Sequence, residues 1–416
     1  MNRSQILLFT VLSLAGMTIT SPSRAIDFSY SAFGTIGAAI SDEPVQYQRD
    51  IDDHGTFMRD SLLGGRLDAR FNEKWAATTQ VVLAASDKED DVIKPHLKWT
   101  MVSYRPANDW LIRAGRLSLG GLLHQQNLDV GVTYDMARLP REVYLLSSDY
   151  DFDGVSVTKT WNIGDYELAL DGSFGMQKRY YRTFREGRKQ ASYYSADVTG
   201  GGLVATLKDY DRTTFRFGWH ITDIDPNTSD GMLTRYNFIP LGGGTYTINP
   251  ATPFGYSSTF TVNTLFLGAE FPLGDFQLTC EGTAILPNSM ESAPETYAGY
   301  ISLSRKFDRW TPYITYARIW NNGLDTWRRV KSATNPYPPG SLQAILAETL
   351  LADAASTMAV FNQSSVMLGT SYALTPQQKI KAEVMVTHVG ERSSMFDGDL
   401  AHENVTTFSL SYNFAF

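Results

Sequence analysis

Apolar and polar residues alternate with a period of two in several separate stretches of the chain. In 63–71 the charged residues Arg66, Asp68 and Arg70 occupy alternate positions, and Leu67 lies on the other, apolar set. Successive side chains of a β-strand point to opposite faces, so this pattern predicts a strand with one polar and one apolar face. The chain is therefore predicted to be all-β. The same alternation recurs at 166–174, 214–221, 276–284 and 379–387.

Extended along the chain, the pattern predicts sixteen strands separated by connections of two kinds. Long connections include 119–152 and 321–362, and they alternate with tight turns rich in Asn, Asp, Gly or Pro. An eighteen-strand count stays open if the long connection 222–258 contains a hairpin. The predicted strands are 27–40, 63–72, 74–85, 95–105, 110–118, 153–161, 166–176, 195–207, 213–221, 259–271, 276–286, 296–306, 310–320, 363–373, 379–389 and 404–416.

This regular alternation of long loops and short turns is typical of a transmembrane antiparallel β-barrel. A soluble β-sandwich is disfavoured because the polar faces carry charges of both signs, which suits a water-filled lumen. In hydrocarbon every backbone polar group must be paired within the protein, so the sheet must close. The last strand, 404–416, is accordingly expected to pair with the strand that begins near Asp27. Tryptophans at strand ends are expected to form an interfacial girdle: Trp75, Trp110, Trp161 and Trp310.

Residues 1–25 have the features of a secretory signal. Arg3 precedes an apolar segment from Ile6 to Met17, and Ala25 follows as a small residue at the expected cleavage site. The alternative, a retained membrane anchor, is disfavoured because the apolar segment is too short to span a bilayer. The chain is thus divided into a cleaved signal peptide, 1–25, and one barrel domain, 26–416. Export through the periplasm to the outer membrane follows from this division.

Two stretches resemble known outer-membrane proteins. The terminal SLSYNFAF resembles the C-terminal signature of bacterial outer-membrane barrels, which implies that Tyr412, Phe414 and Phe416 are read by the barrel-insertion machinery. The segments 97–117 and 128–144 resemble a proteobacterial porin family. This resemblance implies a sixteen-stranded diffusion channel, a homotrimer among outer-membrane lipid and lipopolysaccharide, with its third outer loop folded into the lumen.

The connection 119–152 is the candidate for that constricting loop, because it is unusually apolar for an exposed segment. In a pore the functional site is a field across the narrowest point, set by rings of charged side chains. The alternative is that the same charges pair off and stiffen the loop, and Arg138 and Arg141 fit either role. The proposed constriction residues are the loop acids Asp129, Asp135 and Glu142 and the opposing Arg66, Arg70, Arg113 and Arg116.

The expected function is passive diffusion of ions and small hydrophilic solutes, and the alternative is a selective channel for sugars, anions or aromatic acids. An enzyme is disfavoured because no histidine spacing pairs with a serine and no G-x-S-x-G occurs. An adhesin or purely structural barrel would not need an apolar inward loop. No cofactor, metal ion or nucleic acid is expected. The net charge of −8 does not decide ion preference, since distant loop charges are screened.

Overall fold

In the computed structural model, a closed antiparallel barrel of sixteen strands forms the body of the protein. This confirms the predicted fold class and strand count. The predicted signal segment lies outside the described residues. The described residues are 26–118, 120–144, 151–184, 191–209, 212–226, 232–243, 245–249, 251, 254–257, 259–288, 293–398 and 400–416.

The barrel wall is built from strands β1–β9 and β14–β20, each of which pairs with its sequence neighbours in the wall. Their bounds are β1 Asp27–Ser41, β2 Leu62–Arg70, β3 Trp75–Ala85, β4 Ile93–Tyr104, β5 Trp110–Ser118, β6 Asp151–Ile163, β7 Tyr166–Thr183, β8 Ser192–Asp209, β9 Thr214–Pro226, β14 Phe260–Leu273, β15 Phe276–Pro287, β16 Thr296–Ser304, β17 Trp310–Asn321, β18 Asn362–Thr375, β19 Gln378–Val389 and β20 Asn404–Ala415.

The connection between β9 and β14 contains extra strands that do not join the wall. β10 (Met232–Tyr236) pairs with β13 (Phe254–Ser257), and β11 (Phe238–Gly242) pairs with β12 (Thr245–Ile248). Both pairs form separate two-stranded sheets, so the wall keeps sixteen strands rather than eighteen.

Closure follows the sequence prediction. β1 pairs with β20 from Phe33 opposite Ala415 to Ser41 opposite Thr407. The terminal residue completes the seam, because Phe416 and Ala32 exchange backbone hydrogen bonds of 2.7 and 3.1 Å. The two strands are therefore paired from Ala32 to Ser41, and the sheet has no open edge there, as a membrane-spanning barrel requires.

The outer face of the barrel is apolar and the inner face is mixed. Outward side chains such as Leu67, Leu267 and Leu410 are exposed, and the four predicted girdle tryptophans are exposed near the short turns. Two of them contact tyrosine rings at a tilted angle, Trp75 with Tyr104 and Trp310 with Tyr372. Such a surface is stable in lipid and unfavourable in water.

Among the described residues, three α-helices lie in the connections: α1 (Arg141–Tyr144), α2 (Gly323–Ser332) and α3 (Leu342–Thr357). Ser341 caps α3 by accepting a hydrogen bond from the Ala344 N–H. Trp327 of α2 packs against α3 in a small apolar cluster of its own. No helix among the described residues is long and apolar enough to cross a membrane.

Candidate pore constriction

The loop after β5 lies inside the barrel. Its residues 120–144 pack against the inner face of β14–β20 and form the largest apolar cluster of the protein among the described residues. Buried loop residues Leu122, Leu139 and Val143 contact wall residues that include Phe266 and Met367. The inward fold expected of this loop is thus present, and its apolar composition is explained by burial against the wall.

Glu281 of β15 holds both ends of the described loop. Its carboxylate accepts hydrogen bonds from the Tyr144 hydroxyl at 2.5 Å and the Tyr300 hydroxyl at 2.7 Å, and also from the Leu123 backbone N–H. Leu122 adds a nearby contact, because its carbonyl accepts a hydrogen bond of 2.6 Å from Arg216 of β9. These bonds fix the position where the chain enters and leaves the lumen.

The middle of the loop is fixed by a buried ion pair. Arg138 donates from Nε to Asp60 at 2.9 Å and from Nη2 to the other carboxylate oxygen, and also to Ser409 at 3.3 Å. A two-bond guanidinium–carboxylate pair is directional as well as strong. Gly131 approaches β20 so closely that a Cβ would lie 1.9 Å from the Asn413 side-chain oxygen. The loop therefore has one well-defined position against this wall.

Two of the predicted constriction acids face β18 and β19 rather than the opposite wall. Asp135 pairs with Lys379 at 2.7 Å and accepts a hydrogen bond of 2.7 Å from Ser371. Glu142 is fully buried and accepts hydrogen bonds from Ser365 and from Gln363 at 3.0 Å. Both carboxylates thus hold the loop against the wall, Asp135 through an ion pair and Glu142 through neutral donors.

Asp129, the third predicted acid, faces the other side of the loop. It lines a very small cavity together with Lys98 and Asp151, and these two form an ion pair of 3.5 Å. Asp129 is thus the predicted acid that lies nearest to the wall of β4 and β6.

The predicted basic wall is also partly paired. Arg66 forms an ion pair of 2.8 Å with Asp68 and lies over the Trp99 ring. Arg113 lies 3.2 Å from Asp171. The Arg66 and Asp68 side chains are 36% and 33% exposed although they face inward, so solvent-filled space remains on this side of the loop. Arg70 continues the same inner face and is exposed near the short turns.

Arg116 lies outside this wall. It pairs with Asp153 across β5 and β6 at 3.3 Å, and Asp153 alternates with the outward Val155 and Val157. Arg116 also donates to the Leu97 carbonyl at 2.7 Å, on a strand position whose side chain is 47% exposed. The structure therefore places Arg116 on the outer face of the barrel, and the lumen-facing set is Arg66, Arg70 and Arg113.

Further loop contacts come from wall residues that the sequence prediction did not select. Lys381 is buried and donates to the Met136 carbonyl at 2.8 Å, with its ammonium 4.0 Å from the centre of the Tyr134 ring. Tyr313 donates to Glu383 at 2.7 Å and accepts from the Ala137 N–H at 2.8 Å. The alternation already places Glu281, Lys381 and Glu383 on inner faces, but it does not say which loop atoms they meet.

The residues of the expected insertion signal lie on the outer face of β20. Neighbouring rings contact each other, with 5.8 Å between the Tyr412 and Phe414 centres and 5.6 Å between those of Phe414 and Phe416. Phe414 covers Gly34, where a Cβ would lie 2.6 Å from the ring. This geometry presents a continuous aromatic edge beside the barrel seam.

We expect His124 to make the loop sensitive to acid. It lies in the loop and lines the cavity at the short-turn end. Burial, with smaller effects from Arg216 and Lys381, lowers the pKa of His124 from 6.5 to about 4. The neutral imidazole is therefore favoured, so packing is most stable above pH 6.5 and weakens as the pH falls from 6.5 towards 4, by up to ~3 kcal/mol.

We expect acidification from pH 7.5 to 4 to increase fluctuations of the loop, measured as current noise of the purified protein in a planar bilayer. The variant His124→Gln should respond much less. His54→Gln is the matched control, because the His54 side chain is 86% exposed in a different loop. An equal acid response in His124→Gln and wild type would show that another group is responsible.

Comparison with known proteins shows the fold but no family. No family model matches the sequence, and no curated protein does either. Among solved structures, OprB of Pseudomonas putida aligns with a TM-score of 0.52 at 10% identity, covering 94% of this chain and 94% of that one. DcaP, an outer membrane channel of Acinetobacter baumannii, aligns at 0.51 and 11% identity, covering 94% and 98%.

A third structure is a loop L8 deletion mutant of OmpT, an outer membrane protein of Vibrio cholerae. It aligns with a TM-score of 0.51 at 12% identity, covering 94% of this chain and 100% of that one. At such identities the likeness concerns the backbone architecture alone. The chain thus has the fold of bacterial outer-membrane β-barrel proteins.

Proposed function

We propose that this protein is an outer-membrane channel for passive diffusion of ions and small hydrophilic solutes. The observation that carries the proposal is the loop 120–144 inside a closed barrel, with a cavity on each side of it. The cavity at the long-loop end measures about 470 Å³ and includes Arg141, and that at the short-turn end measures about 970 Å³ and includes His124. An aqueous path narrowed by a loop is the architecture of a diffusion pore.

In this proposal, the pore lies between the loop and the wall that carries Arg66, Arg70 and Arg113. The support is the exposure of inward-facing Arg66 and Asp68, next to a loop that is packed on the opposite wall. Because Asp68 and Asp171 balance Arg66 and Arg113, this part of the pore is a band of paired charges. Such a band suits polar solutes of either sign.

The proposal includes the export, membrane insertion and assembly that the sequence suggests. Residues 1–25 would be removed during export, and Tyr412, Phe414 and Phe416 would guide insertion by the barrel-insertion machinery. The mature chain would lie among outer-membrane lipid and lipopolysaccharide as a homotrimer. The resemblance of SLSYNFAF to the C-terminal signature of outer-membrane barrels supports the insertion step. The resemblance of 97–117 and 128–144 to a porin family supports the homotrimer.

Solute flux through liposomes tests the function. We expect purified protein to accelerate swelling in isotonic arabinose more than in sucrose, because a narrowed aqueous pore selects by size. Liposomes without protein provide the background rate. Swelling no faster than this background, from protein that is inserted and folded, would contradict the proposal.

A selective channel is the second candidate. The observation in its favour is the composition of the cavity at the long-loop end, which six arginines line. A site of this kind would add selectivity to the same pore.

A further inference from the structure

The cavity at the long-loop end is strongly basic. Its acidic lining residue among the described residues is Asp397, whereas its arginines come from four different parts of the chain. Aromatic side chains complete the lining, among them Tyr180, Tyr181 and Phe361. The arginines are Arg49, Arg59, Arg141, Arg179, Arg182 and Arg392.

Several of these arginines are engaged by the protein itself. Asp90 receives Arg49 at 2.8 Å and Arg182 at 3.0 Å, and Arg182 also pairs with Asp397. Arg392 donates to the Ser356 carbonyl at 3.3 Å. These contacts hold the rim of the cavity together. They do not involve Arg59 or Arg141.

Arg59 and Arg141 have no hydrogen-bond or ion-pair partner among the described residues, and the Nε atom of each is buried. The neighbouring carboxylate of Asp60 already accepts two hydrogen bonds from Arg138. Asp50 lies close enough to attract Arg59, but neither of its carboxylate oxygens makes a hydrogen bond. Three arginines thus lie beside two carboxylates, Asp50 and Asp60. Of the three, only Arg138 has a hydrogen-bonded carboxylate partner in the described part of the chain.

Arg59 and Arg141 therefore keep hydrogen-bond donors that no described residue accepts. Burial lowers the pKa of Arg141 well below its ordinary value, and the neighbouring positive charges of Arg59 and Arg138 lower it further. Burial likewise lowers the pKa of Arg59. Both side chains are half-buried, and a buried Nε–H without an acceptor is costly. A guanidinium is shaped to bind a planar oxyanion through two parallel bonds.

We propose that Arg59 and Arg141 bind the carboxylate of a small single-ring aromatic acid that enters from the long-loop end. The tyrosines and Phe361 would pack against its ring, and the cavity of about 470 Å³ lies within the size range of small-molecule sites. The inference deepens the proposed channel function by naming a solute class. Binding at this site requires the folded barrel and its loops, but it does not require that solutes pass through the pore.

Calorimetry on the purified full-length protein in detergent tests the site, with benzoate as the probe. We expect benzoate to bind, and benzamide, which has the same shape without the charge, to bind much more weakly. Because a charged hydrogen bond is typically worth a tenfold change in affinity or more, Arg59→Gln and Arg141→Gln should each weaken benzoate binding by at least about tenfold. Equal binding by the double variant and wild type would overturn the proposal.

Two controls keep the outcomes distinct. Arg309→Gln removes an exposed arginine of a short turn at the opposite end of the barrel and should leave benzoate affinity unchanged. Arg59→Lys keeps the charge but loses the planar fork, so it should bind with intermediate affinity. Absence of benzoate binding by folded wild type would refute the site even if solutes cross the pore. Binding without solute flux would instead refute the channel.

Discussion

The variant Glu281→Ala is expected to show a larger and noisier single-channel conductance than wild type. Glu281 accepts hydrogen bonds from Leu123 near one end of the described loop and from Tyr144 at the other. Its removal would leave these donors and the Tyr300 hydroxyl buried without an acceptor. The loop can then satisfy these donors with water by moving away from the wall into the lumen. The width of the narrow part of the pore would therefore fluctuate.

The cost to stability should be large as well. Each buried donor without a partner costs about 1–3 kcal/mol, so the loss from three of them is ~3 kcal/mol or more. Thermal unfolding of the purified barrel on gels measures this loss. Glu295→Ala is the matched control, because Glu295 is an exposed carboxylate that accepts a bond of 3.0 Å from Tyr297. An unchanged conductance in folded Glu281→Ala would mean that this anchor does not set the pore width.

Replacing 119–150 with a short glycine–serine linker is expected to widen the pore several-fold in conductance while preserving the barrel. Ser118 and Asp151 face each other in the β5–β6 register, so a short hairpin turn can join them. The hydrogen-bond ladder of the sixteen strands does not use the loop. What is lost is the apolar contact of Leu122 and Leu139 with the wall.

That loss sets the expected stability of the linker variant. Removing one well-packed leucine side chain typically costs 2–5 kcal/mol, so the variant should unfold at a lower temperature than wild type. Leu139→Ala is the milder companion, since it opens a cavity beneath the loop without removing it. If the linker variant inserts but its pore is no wider, the loop does not narrow the channel.

The strand pattern could be predicted because the barrel repeats one physical rule. Lipid on one side and water on the other impose a period of two on every strand, and all sixteen predicted strands are present. The positions where individual strands end were less predictable. β7 continues to Thr183, seven residues past its predicted end, because its outer part pairs with β8 above the apolar band, where the alternation of apolar residues fades.

The candidate site was only partly predictable, because its contacts join distant parts of the chain. Asp135 meets Lys379 and Glu142 meets Ser365, and no local pattern encodes such pairs. Arg116 is different. It lies three positions after Arg113, so strict alternation already places the two on opposite faces, and the structure follows that parity.

Single-channel recording in planar bilayers, with wild type and the 119–150 linker variant side by side, tests the central claim most directly. The account predicts discrete conductance steps for wild type and several-fold larger steps for the variant. Reversal potentials from the same records would give the ion preference. Folded, inserted wild-type protein that passes no current would contradict the channel, and equal steps from both proteins would contradict its narrowing by the loop.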